Sequence, residues 1–90
     1  MKLSKEYLLR QVFDKYVLIP TGRLIDRGKS TVELNETGFF IARQLLDEIS
    51  MEELKKRVFK EYEVEKEEEG AVGNEIEKIV EEFNLTNLLE

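Results

Sequence analysis

Thr31-Val32-Glu33-Leu34-Asn35-Glu36-Thr37-Gly38-Phe39-Phe40-Ile41-Ala42-Arg43-Gln44-Leu45-Leu46-Asp47-Glu48-Ile49 is the stretch on which the fold of this chain turns. Its first four residues alternate polar and apolar, which sets Val32 and Leu34 on one side of an extended strand. From Phe39 the period changes. Phe39, Ala42, Leu45, Leu46 and Ile49 recur at spacings of three and four, one face of a helix. Asn35 stands at the change, where a side-chain oxygen accepts from the free N–H groups of a helix start. The sequence predicts a third strand, Thr31 to Leu34, running straight into an amphipathic helix from about Glu36 to Glu48.

Outward toward the N-terminus, Leu8 to Phe13 and Tyr16 to Ile19 are short aliphatic and aromatic runs parted by Asp14-Lys15, a hairpin with a two-residue turn. Pro20-Thr21-Gly22 ends the second strand. Arg23 to Ser30 is polar apart from Leu24-Ile25 and is expected to be a loop or β-excursion. Toward the C-terminus, Ser50 caps a second helix, and Glu53 completes a capping-box pattern. Met51, Leu54, Val58, Phe59 and Tyr62 form its apolar stripe. For the third helix, Gly70 and Gly73 each cost roughly 1 kcal/mol inside a helix. Asn74, with Glu77 three residues on, is the better start. The prediction is a helix from Asn74 to Phe83, with Ile76, Ile79, Val80 and Phe83 inward and a looser extension over 66–72. Leu85, Leu88 and Leu89 are expected to close the chain against the core. The fold class is α+β: one winged-helix-like domain over 1–90, a three-stranded antiparallel sheet followed by three helices.

Composition narrows the function. Without cysteine there is neither a disulfide framework nor a thiolate ligand, and without histidine the commonest metal ligand and neutral-pH base are missing. No apolar run approaches the roughly 20 residues that span a bilayer, so a cytoplasmic protein without a membrane partner is expected. The net charge of −6 is uneven. Residues 1–30 carry seven Lys/Arg against three acids (+4), and residues 31–90 carry seven against seventeen (−10).

The motifs point away from catalysis. Gly22 to Ser30 imitates a phosphate-binding loop, but five residues separate its glycines where four are needed, and a strand follows instead of a helix. Gly70-Ala71-Val72-Gly73 has the spacing of a nucleic-acid backbone clamp, yet glutamates flank it on both sides. The glutamates of 65–82 have no ligand-loop spacing and read as a solvated helix face. No catalytic constellation can be assembled, so neither an enzyme nor a cofactor is expected. A winged-helix DNA-binding transcriptional regulator is the alternative, but its third helix would bring the most acidic part of the chain to the phosphates. Recognition of a peptide remains, because the third strand is a sheet edge open to an added strand. The same edge admits a homodimer.

Tyr7-Leu8-Leu9-Arg10, Asp14 to Gly22 and Val32-Glu33-Leu34-Asn35-Glu36-Thr37-Gly38 together resemble the coenzyme PQQ synthesis protein D (PqqD) family. Met51-Glu52-Glu53-Leu54 and Glu61-Tyr62-Glu63-Val64 extend the resemblance over nearly the whole chain. It implies a recognition element and peptide chaperone for ribosomally made, post-translationally modified peptides. Such a protein binds the leader of a precursor peptide between the third strand and third helix and presents it to a modifying enzyme, commonly a radical S-adenosylmethionine (SAM) protein. Carried onto this sequence, the strand side is Ser30, Thr31, Val32, Glu33 and Leu34, and the helix side is Ile76, Ile79, Val80 and Phe83. The resemblance does not single out PQQ biosynthesis among the pathways such proteins serve. The chain departs from the family at Asp14, where the family often has Gly, and by about three extra residues at Gly70 to Gly73.

Overall fold

The computed structural model describes residues 1–90. Strand β1 (Tyr7–Val12) runs antiparallel to β2 (Lys15–Pro20), with Val12 opposite Lys15. The turn is therefore Phe13-Asp14, one residue earlier than the expected Asp14-Lys15, and Phe13 takes the left-handed backbone at φ 57°. The expected turn would slip the register by two residues, keeping the same faces inward but setting the fully buried Leu18 across from the exposed Gln11. In the observed register Leu9 lies opposite Leu18 and Tyr7 opposite the buried Pro20.

The connection expected as a loop or β-excursion contains one helical turn, α1 (Arg23–Asp26). Gly22 and Gly28 bracket it at positive φ, and Leu24 packs against the core. Strand β3 (Val32–Leu34) then pairs with β2, giving the antiparallel order β1-β2-β3. It begins at Val32, not Thr31. Continued by two residues, the register would set Ser30 across from Pro20, which has no N–H to donate.

Helix α2 (Glu36–Gln44) starts as its sequence dictates, with Asn35 Oδ1 accepting from the Gly38 N–H at 2.7 Å. It ends four residues before the expected Glu48 because the chain's first residues intervene. The Leu3 N–H donates to the Leu45 carbonyl at 2.7 Å, and the Ile49 N–H donates to the Met1 carbonyl at 3.0 Å. Leu45 and Ile49 stay in the core, whereas Leu46, expected on the helix's apolar face, is left exposed.

Helix α3 (Met51–Glu61) is capped by Ser50, whose Oγ accepts from the Glu53 N–H at 3.1 Å. The carboxylate of Glu53 does not complete the box; it faces Arg57 Nε at 3.4 Å. Glu63 closes the helix in the left-handed conformation (φ 48°), and the Val64 N–H donates back to the Phe59 carbonyl at 2.9 Å. That turn folds Val64 under the helix end.

A 3-10 turn (Lys66–Glu68) leads into α4 (Glu69–Leu85), which starts five residues before the expected Asn74 and runs through both glycines. Two glycines cost about 2 kcal/mol at most, while burying Ile76, Val80 and Phe83 contributes roughly 1.5–3 kcal/mol each. Packing wins. A second left-handed residue, Asn87 (φ 61°), lets the Leu88 N–H reach the Phe83 carbonyl at 2.9 Å and buries Leu88. Leu85, expected to pack, is 72% exposed. Leu89 pairs with Leu3, so the two ends of the described chain meet. The core gathers Leu18 from the sheet and Ile41, Leu45, Leu54, Val58 and Ile76 from the helices.

Candidate functional site

The backbone of β3 has a defined free side. The Thr21 N–H donates to the Glu6 carbonyl at 2.9 Å, which marks the alternate pairs Leu8/Ile19, Arg10/Val17 and Val12/Lys15 as those exchanging bonds within the hairpin. The polar groups of Val17 therefore point to β1. Strand β2 reaches β3 through Tyr16 and Leu18, opposite Leu34 and Val32. Glu33, between them, directs its N–H and C=O away from β2, to the side where the sheet has no further strand. Val32 and Leu34 are half-buried against the core, and the Glu33 side chain is exposed.

Past the end of β3 lies an apolar pocket of about 200 Å³. Thr37, in the first turn of α2, forms one wall. Val58, Tyr62 and Val64 come from α3 and its closing turn, and Val72, Glu75, Ile76 and Ile79 from α4. The left-handed Glu63 is what brings Val64 into this wall. Glu75 is the one charged lining residue, so the pocket is a greasy slot with a carboxylate at its margin.

The expected site residues divide. Ser30 and Thr31 are exposed and precede the strand, while Val32, Glu33 and Leu34 form it. From α4, Ile76 and Ile79 line the pocket. Val80 and Phe83 do not; both are buried, and the exposed margin of Val80 borders a different cleft with Met51 and Leu89. The pocket's other lining residues from α4 are Val72 and Glu75, with Thr37 and Val64 opposite. Starting the helix at Asn74 hid Val72. The signal was present, since Val72, Ile76 and Ile79 fall at i, i+4 and i+7. Elsewhere no group of three carboxylates is disposed to hold a metal, and no helix is long and apolar enough to cross a membrane.

No family model matches the chain, and no curated protein matches it. Among solved structures it is similar to one described as TbiB1 in complex with the TbiA(beta) leader peptide. The match covers 100% of this chain and 95% of that one, with a TM-score of 0.76 and 22% sequence identity. At that identity the likeness is one of fold, and it extends over the sheet and the helices alike.

Proposed function

We propose that this chain is a non-catalytic peptide-recognition domain. It takes the leader of a ribosomally made precursor peptide as a fourth strand on β3 and presents it to a modifying enzyme, a radical SAM protein being the expected kind. The observation that carries this reading is the outward-facing Glu33 backbone beside an apolar pocket. A solved structure of the same fold described with a leader peptide supports it.

The energetics require both halves of the site. A three-residue edge offers few backbone hydrogen bonds, each worth about 0.5–1.5 kcal/mol net. One aliphatic or aromatic leader side chain buried in the pocket adds roughly 1.5–3 kcal/mol. Backbone pairing sets direction and register; the pocket sets sequence preference. Glu33 at the edge and Glu75 at the pocket margin favour Lys or Arg nearby in the leader.

Calorimetric titration with the precursor leader tests the reading. Saturable binding is expected, and Ile79→Ala should weaken it about tenfold by removing apolar contact. Absence of detectable heat with the leader at high micromolar concentration overturns the proposal.

A further inference from the structure

The open edge of the sheet continues past the start of β3, and the charge beside it changes sign there. Ser30 and Thr31 precede the strand without regular structure, both are exposed, and their N–H and C=O groups make no backbone hydrogen bond within the chain. Backbone left unbonded at an edge is open to a continuing strand. One residue earlier, the Lys29 N–H donates to the Leu24 carbonyl at 3.0 Å, which ties the α1 excursion to the start of this open segment. The excursion is held in turn by the Arg27 N–H on the Arg23 carbonyl at 3.1 Å and by Leu24 against the core. A leader extended about three residues beyond Val32, at roughly 3.3 Å per residue, therefore reaches Lys29.

Acids outnumber bases 20 to 14 in the whole chain, yet residues 22–31 carry Arg23, Arg27 and Lys29 against Asp26 alone. All four side chains are exposed, and none of the three cations has a carboxylate within 4.0 Å. Toward the pocket the charges beside the edge are instead Glu33 and Glu75. We infer that the α1 excursion binds acidic residues of the leader, in the segment that runs past the start of β3 away from the pocket; the inference rests on the strand addition proposed above. Three unpaired cations next to open backbone attract Asp or Glu. Because one end of the site is acidic and the other basic, the leader's own charge pattern sets which of its ends meets the pocket.

The test titrates the full chain at low salt with the precursor leader, and with the same leader carrying Asn and Gln in place of its Asp and Glu. Lys29→Glu and Arg27→Glu are each expected to weaken binding of the native leader about fivefold. The amide leader should bind the unsubstituted chain more weakly than the native one and bind the two variants no worse than that. Lys56→Glu, exposed on α3, makes the same change in net charge and should leave affinity within about twofold. Neither excursion side chain is buried or paired, so the fold does not depend on them. A native leader that binds both excursion variants as it binds the unsubstituted chain overturns the inference and leaves the leader reading standing. So does a loss that Lys56→Glu or the amide leader shares equally. Variants that keep the leader but lose the modifying enzyme overturn it as well and make the excursion an enzyme contact. A leader that fails to bind the unsubstituted chain removes both readings.

Discussion

Phe13 and Glu63 hold left-handed backbone conformations that cost an L-residue roughly 1–2 kcal/mol. They differ in what they return. Glu63 closes α3 and turns Val64 into the pocket wall, whereas Phe13 leaves its ring in water. Phe13→Gly is therefore expected to raise folding stability by about 0.5–1 kcal/mol, the relief of strain being partly offset by a freer unfolded chain. Phe13→Ala, with the same strain and no lost contact, should change it little. Urea unfolding of the two variants checks this; equal midpoints would show that the turn is unstrained.

Among the elements, α4 departs furthest from its expected start, and its glycines make the sharpest stability prediction. A Cβ built on Gly73 meets the Lys55 side chain no closer than 3.6 Å, an ordinary contact. Gly73→Ala should then stabilise the fold by about 0.5–1 kcal/mol through helix propensity, a rise of roughly 4–8 °C in Tm per kcal/mol for a domain of this size. A drop on thermal unfolding would mean that the close approach of α4 to α3 does require glycine. Strand β3 offers a paired test of mechanism. Glu33→Pro removes an N–H that points off the sheet, so it should weaken leader binding about tenfold with little change in stability. Val32→Pro removes one directed at β2 and should destabilise the domain itself. If Glu33→Pro binds the leader normally, strand addition is not the mode of capture.

The whole molecule carries its charge in two blocks, a basic N-terminal third and an acidic remainder. The few ion pairs, Lys55–Glu77 at 2.6 Å being the shortest between side chains, lie at the surface and add little to stability. Their surroundings matter more for association. Leader binding should weaken as salt is raised, since exposed glutamates beside the edge and pocket attract a basic segment only across unscreened distances. Affinity that stays constant from low to physiological salt would leave the apolar pocket and the backbone as the sole determinants.

Local chemistry was readable residue by residue. The cap at Asn35, the cap at Ser50 and the change from a two-residue to a helical period at Phe39 each depend on neighbours within a few positions. Such short-range preferences hold in any fold, so the order of the three strands and the three longer helices, and β3 as the strand joining the sheet to α2, followed from the sequence by itself; the helical turn α1 did not. The early end of α2 did not, because it depends on the Leu3 N–H, more than forty residues away, taking the Leu45 carbonyl. Nor did the path of α4 through Gly70 and Gly73, where burial of Ile76, Val80 and Phe83 against distant side chains outweighs a local penalty. For the same reason, which α4 residues reach the pocket and which turn inward was decided only once the helices had packed.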